Sequence, residues 1–321
     1  MKKLPTLYKL DSKGKTREWT ISFDGNSFWS AQGIVGKKIH KNKPTICKPK
    51  NIGRSNETSE EEQAELEAQA KWEKKRKDGY TQDIDSVKQK KFYQPMLAQN
   101  YEDRKGELSF PLYCQPKLDG VRCIILKEDG EVVAKTRNGR PIDTIPHIIN
   151  KIKGFFLMYP DAILDGELYN HKLKHDFNKI ISLVRKQKPA KSASDTDNSF
   201  LKKQQKFESS LEESAGLVEY WVYDAPNIAD AKESMLFSIR FAHLMAQLGD
   251  REDCIKVVPT YEVFKEGDLT GIYQHQLHEG FEGQIVRVDA GYENKRSKNL
   301  LKRKEFKDSE YVVIDIEEGD G

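Results

Sequence analysis

The run Gln115-Pro116-Lys117-Leu118-Asp119-Gly120-Val121-Arg122 places a lysine where it could act as a nucleophile. A lysine amine is normally protonated and inert. Burial or cationic neighbours lower its pKa and free the amine to attack an electrophile. Pro116 stiffens the approach, Asp119-Gly120 supplies turn chemistry, and Arg122 offers a planar fork for phosphate or ribose oxygens. A reactive lysine on such a turn suits covalent nucleotidyl transfer. Taken alone, Lys-x-Asp-Gly is equally an ordinary turn, and at this point both readings stand.

Further runs follow in order. They are Thr136-Arg137-Asn138-Gly139-Arg140, Asp165-Gly166-Glu167-Leu168, Tyr220-Trp221-Val222-Tyr223-Asp224, Glu282-Gly283-Gln284-Ile285-Val286-Arg287 and Arg296 through Lys304. Moving AMP from ATP onto Lys117 would store energy as a phosphoramidate, and it calls for hard oxygen ligands for Mg²⁺. Glu167 and Glu282 qualify, each beside a glycine that lets backbone approach a nucleotide. Negative charge spread over an α-phosphorus in the transition state is stabilised by fixed cations. Lys302 and Lys304 alternate along a strand, so both can face one side with Arg303 opposite.

These residues need strands and turns to hold them. Leu112 to Cys114 and Val121 to Leu126 read as strands on either side of Lys117. Cys123–Leu126 and Val132–Ala134 form a hairpin pattern with its turn at Asp129-Gly130. A helix is predicted over 173–187. Residues 188–215 are rich in Lys, Ser, Asp and Gln, and the expectation there is a mobile loop with at most a short helix near Phe207–Ser214.

At 321 residues the chain fits two or three domains and can bury a core. One third of its residues are charged, so the expectation is a soluble protein. The net charge of +3 is unevenly spread: residues 1–50 hold 12 Lys/Arg against three acids, Asp11, Glu18 and Asp24. Basic blocks of this kind suit a polyanion, although solvated surface lysine explains them equally well. Cys47, Cys114, Cys123 and Cys254 show no CxxC spacing, which argues against zinc and a disulfide framework. No membrane span or signal peptide is legible, so a cytoplasmic location is expected, with no membrane partner.

Residues 1–80 read as a small separate unit. Trp19–Phe23 alternates as a strand, Asp24-Gly25 turns, and Ser27-Phe28-Trp29 returns. Ser59 to Lys77 reads as a helix with capping boxes at Thr58/Glu61 or Ser59/Glu62, and with Ala64, Ala68 and Trp72 on one face. The run Leu7 to Lys15, then Arg17-x-Trp19, then Gly33-x-x-Gly36, resembles WGR-type domains, a small nucleic-acid-binding module. The naming tripeptide is absent, and its nearest equivalent is Ala31-Gln32-Gly33.

The runs from Lys117 to Lys304 resemble, in order and spacing, the ATP-dependent DNA ligases, within the covalent nucleotidyltransferase superfamily. KLDGVR is closest to the DNA ligases, and RSKNLLKRK is similar to small phage-type ligases. The fold class implied is α+β: a two-sheet antiparallel adenylation core, a small N-terminal WGR-like domain and the start of an OB-fold. The boundaries expected are 1–80 for the WGR-like domain, 81–91 for a linker, 92–307 for the adenylation domain and 308–321 for the opening OB-fold strand.

The resemblance also implies roles. Lys117 carries AMP, and Lys302 and Lys304 contact the α-phosphate and keep Lys117 deprotonated. Glu167 contacts ribose and metal, and Glu282 holds metal. Tyr223 stacks on adenine, Arg122 contacts ribose or phosphate, and Arg137 contacts the nucleotide or the nick 5′-phosphate. Gln115 reads adenine through its backbone or amide. ATP as AMP donor, Mg²⁺ and nicked double-stranded DNA complete the expectation. The family's last basic motif, in the OB-fold, is not found, which points to a fragment or a split enzyme with a separate OB-fold part. An RNA ligase, a capping-type guanylyltransferase and a non-catalytic DNA-break-binding protein are the alternatives.

Overall fold

The computed structural model describes residues 1–11, 14–88, 92–189, 196–249, 251 and 253–304. The expected OB-fold strand at 308–321 and the end of the 81–91 linker lie outside them. Chain contacts divide the protein into two compact units. Residues 1–94 with 135–141 form the first, and 95–134 with 142 onward form the second.

The first unit is a sheet backed by one helix. Its strands are β1 (Lys2–Lys3), β2 (Leu7–Leu10), β3 (Thr16–Asp24), β4 (Ser27–Ile34), β5 (His40–Lys41) and β6 (Thr45–Ile46), and its helix is α1 (Glu60–Lys77). The β3–β4 hairpin turns at Asp24-Gly25, where Gly25 takes φ 51°. Ser59 caps α1 in a full capping box with Glu62. Leu7, Trp19, Ile21, Phe23 and Phe28 pack against Ala64, Ala68 and Trp72. The alanines let the helix come close to the sheet.

The second unit contains β7 (Leu97–Asn100), β8 (Leu112–Lys117), β9 (Val121–Glu128), β10 (Glu131–Thr136), α2 (Pro146–Met158), β11 (Ile163–Tyr169), α3 (Phe177–Val184), α4 (Asp197–Leu217), β12 (Glu219–Asn227), α5 (Phe237–Leu248), β13 (Ile255–Val257), β14 (Tyr261–Val263), α6 (Glu266–His278), β15 (Gly283–Val288) and β16 (Arg296–Arg303). The strands form two five-stranded sheets, ordered β10-β9-β11-β12-β13 and β14-β8-β15-β16-β7. Both are mainly antiparallel; among the described residues β12–β13 and β16–β7 pair in parallel. The β9–β10 hairpin turns at Asp129-Gly130, both at positive φ.

Each sheet buries one face on its own core. Ile125, Leu164, Tyr220 and Val222 join Ile148, Ile152 and Phe156 of α2 and Leu244 of α5. In the other sheet Leu112, Cys114, Val286 and Leu301 join Leu269 of α6. The alternate side chains of both sheets are left for the chemistry.

The loop expected over 188–215 is corrected. Residues 197–217 form α4, a helix of 21 residues capped by Thr196, and 190–195 lie outside the described residues. The composition that looked disordered is rich in Lys, Gln, Glu and Leu, which are good helix formers. Its fully buried residues are small, Ser210 and Ser214, with Phe207, Leu211 and Leu217 half-buried beside them. The helix expected over 173–187 is shorter, at 177–184, after a single turn of 3₁₀ helix at His171–Leu173.

Candidate active site

Lys117 is the last residue of β8. Its strand neighbour is Gly283 of β15, and the Glu282 amide donates to the Lys117 carbonyl at 3.2 Å. That backbone bond brings two distant side chains together: Lys117 Nζ is ion-paired with Glu282 Oε2. Lys304 Nζ lies 3.5 Å from the other Glu282 oxygen. Gly283 permits this crossing, since a Cβ there would stand 2.2 Å from the Arg303 carbonyl oxygen. Lys302 is paired with Ile285, and Ile285 with Gln115, so the three share one face. Arg303 points the other way, its guanidinium 4.3 Å from the Tyr273 ring centroid.

The second sheet contributes Glu167, Arg122 and Tyr223. Glu167 of β11 is opposite Arg122 of β9 and Trp221 of β12. Gly120 sits tight against this strand: a Cβ would lie 2.3 Å from the Leu168 carbonyl oxygen and 2.8 Å from Glu167 Cγ. Burial pushes the Glu167 carboxyl up to about 7, with Arg122 and Lys117 pulling against it. Burial, and then Glu282, also raise Asp119. Tyr223 hydroxyl donates to Glu167 at 3.4 Å.

Arg122 grips Asp165 through two nitrogens, Nε at 2.8 Å, and also donates to the Met96 carbonyl at 2.9 Å. Its guanidinium lies 5.1 Å from the Tyr223 ring centroid. These contacts occupy it as a brace for the aromatic. Gln115 is likewise taken up by protein partners. It donates to the Tyr223 carbonyl at 3.0 Å and to Thr260 Oγ1 at 2.8 Å, and it accepts from Arg287 Nε at 2.8 Å. Arg137 is exposed on the Thr136–Arg140 turn, among the residues that group with the N-terminal unit. The structure therefore brings together Lys117, Glu282, Lys304 and Lys302 on one sheet, and Glu167, Arg122 and Tyr223 on the other.

Sequence reading missed a buried polar network behind Tyr223. Asp224 is held by two nitrogens of Arg240, Nε and Nη2, each at 3.0 Å, and by Arg287 at 2.8 Å. Tyr292 hydroxyl donates to Asp165 at 2.6 Å. The legible signal was Arg240, a cation on the apolar face of α5, where it is 1% exposed.

Among the described residues no group of three or more His, Cys, Asp or Glu gathers as a ready metal cage. Glu167 and Glu282 nevertheless fit a magnesium ion, which is commonly held by one or two carboxylates with substrate phosphates and water completing its shell. A carboxyl that burial raises to about 7 is also one that a cation would relieve.

Residues 95–304 match the family model of the ATP-dependent DNA ligase domain. This chain belongs to that family. Among curated proteins it is 25% identical over 287 residues to a DNA ligase of African swine fever virus (isolate Tick/South Africa/Pretoriuskop Pr4/1996), covering 85% of this chain and 60% of that protein. It is 26% identical over 246 residues to the DNA ligase of Enterobacteria phage T4, covering 69% of this chain and 50% of that one. The chain thus spans little more than half the length of these relatives. Among solved structures, the one titled Pmar-Lig_PreS3 matches with a TM-score of 0.50 at 18% identity, covering 66% of this chain and 46% of that chain. That likeness concerns the fold, and it is the two-sheet nucleotidyltransferase core of these ligases that the second unit displays.

Proposed function

We propose that this chain performs the nucleotidyl-transfer chemistry of an ATP-dependent DNA ligase acting on nicked double-stranded DNA. The observation that carries this is the contact of Lys117 with Glu282, with Lys304 on the far oxygen of the same carboxylate. A nucleophile, a proton acceptor and a fixed cation are thereby assembled on adjacent strands.

In the first step Lys117 Nζ bonds to the α-phosphorus of ATP while the bond to pyrophosphate breaks. Before attack the Lys117 ammonium gives one proton to Glu282, the carboxylate already touching it, and the second proton, released as the N–P bond forms, leaves with pyrophosphate. Lys302 and Lys304 steady the charge on the α-phosphate, and Tyr223, braced by Arg122, offers its ring to adenine. Mg²⁺ bound by Glu282 and Glu167 would neutralise charge and orient the phosphates. AMP then passes to the 5′-phosphate of a nick, and the adjoining 3′-hydroxyl displaces it to seal the strand. Arg137 is assigned to the 5′-phosphate in this reading.

The N-terminal residues are read as a WGR-like nucleic-acid-binding domain at 1–80, joined by 81–91 to the adenylation domain at 92–307. The 12 cations among residues 1–50 support this. An OB-fold part acting with the adenylation domain, and a cytoplasmic setting, belong to the same reading.

The test is incubation with α-labelled ATP and Mg²⁺, followed by denaturing electrophoresis, with Lys117→Ala alongside. Acid-labile, base-stable label lost in the variant is the expected result. If no label appears even with an OB-fold domain added in trans, sealing of pre-adenylated nicked DNA decides between a defective first step and no ligase chemistry at all.

A further inference from the structure

In the N-terminal sheet α1 covers one face only. Trp19, Ile21, Phe23 and Phe28 point into that core. The alternate residues point to the opposite face, where the register places Lys3 beside Ser22, Ser22 beside Trp29, Thr20 beside Ala31 and Ala31 beside Lys41. Trp29 is therefore a large aromatic on a floor of Ser22, Thr20 and Ala31. It is half-buried, whereas Lys3 and Lys41 are exposed.

The Lys41 ammonium lies 4.3 Å from the Trp29 ring centroid. An exposed cation over a ring is held weakly, so it can swing aside. The aromatics of the helix-side face are different: Phe28 and Trp19 also carry lysines over them, but both rings are core residues.

Charge around the open face is one-sided. From Gly25 to Asn56 the chain has no Asp or Glu and seven Lys/Arg; Lys41 lies on the open face, whereas Lys50 is paired with Glu67 of α1 on the helix side. Two acids of β3 share the face. Asp24 is paired with the Met1 amino group at 2.7 Å, and Glu18 lies opposite Gly33, four residue pairs along from the Ser22–Trp29 pair.

We infer that this face receives a DNA strand with an unpaired or terminal base, the Trp29 indole stacking on that base while Lys3 and Lys41 meet the phosphates on either side. In a closed duplex the bases are stacked on one another, so an indole meets a free base face at an end or an unpaired nucleotide. A ring set between two cations matches a chain that alternates π-faces and negative charges. This deepens, and rests on, the reading of the N-terminal unit as a nucleic-acid-binding domain.

The experiment is fluorescence anisotropy of the full chain with a labelled single-stranded oligonucleotide and with a blunt duplex of equal length, across a salt series. Trp29→Ala should weaken single-strand binding about tenfold and duplex binding less than about twofold, with Trp29→Phe retaining most of the affinity. Lys3→Ala with Lys41→Ala should flatten the single-strand salt slope by about 1.4, two phosphates' worth. Unchanged single-strand affinity in Trp29→Ala overturns the inference, as does an equal loss on both DNA forms. Competition by poly-glutamate as effective as by an oligonucleotide of equal charge would assign the face to an acidic protein and also overturn it. Lys117 labelling by ATP, measured on the same samples, should be unchanged by Trp29→Ala. A wild-type chain that binds the oligonucleotide without labelling would count against the ligase reading alone.

Discussion

Arg287 and Gln115 are joined by a hydrogen bond of 2.8 Å from guanidinium Nε to amide oxygen, between residues 172 positions apart. Through it, the strand that ends at Lys117 is tied to Asp224, and Gln115 is tied in turn to the Tyr223 carbonyl. The two sheets that face each other across the site thus share one buried polar joint.

Arg287→Met should cost about 3 kcal/mol of stability. It leaves the Gln115 amide oxygen and one side of Asp224 without the Arg287 donors, although Arg240 still holds Asp224. Urea unfolding would give the figure. Nucleotide labelling should fall as well, because Gln115, which donates to the Tyr223 carbonyl, is no longer held from behind.

Glu282→Gln keeps the shape of the side chain and removes its charge. Labelling of Lys117 by ATP should drop by about 10² or more, the usual worth of a positioned acid–base group. Single-turnover labelling at saturating ATP separates this from weaker binding.

Glu167 sets a pH dependence whose sign follows from its raised pKa. The folded protein holds the Glu167 proton up to about 7, against an ordinary value of 4.5. Its contribution to stability is therefore full below about 4.5 and is lost as pH rises through about 7. Glu167→Gln should remove about 2 kcal/mol of this acid-favouring slope, after discounting for the partial exposure of the carboxyl. Unfolding of both proteins at several pH values between 4 and 8, compared pairwise, checks it.

Ser59→Ala should destabilise the N-terminal unit by about 1 kcal/mol, since it removes the side-chain half of the α1 capping box while the backbone amide at 59 can still donate to Glu62. Hydrogen exchange at the Glu62 amide, which Ser59 Oγ accepts, should speed up first.

Much of the site was legible because it lies at strand ends marked by glycine. Lys117, Glu167 and Glu282 each announce themselves through a neighbouring Asp-Gly or Gly, and strand alternation placed Lys302 with Lys304 against Arg303. What stayed hidden depends on partners remote in sequence. The protein partners of Gln115 and Arg122 could not be read: nothing nearby reveals Arg287 or Thr260, and the grip of Asp165 on Arg122 forms only when β9 and β11 pair. Helix α4 stayed hidden because its two fully buried positions are serines, whose polarity mimics a solvated loop.

The close approach of Gly120 to the Leu168 carbonyl has an evolutionary meaning. It sets the spacing between the nucleophile's turn and the Glu167 strand by main chain against main chain. Core side chains on the far side of either sheet can then be exchanged for others of similar bulk without altering that spacing. A reaction centre gauged in this way can outlast extensive drift in the residues around it, provided position 120 never acquires a side chain.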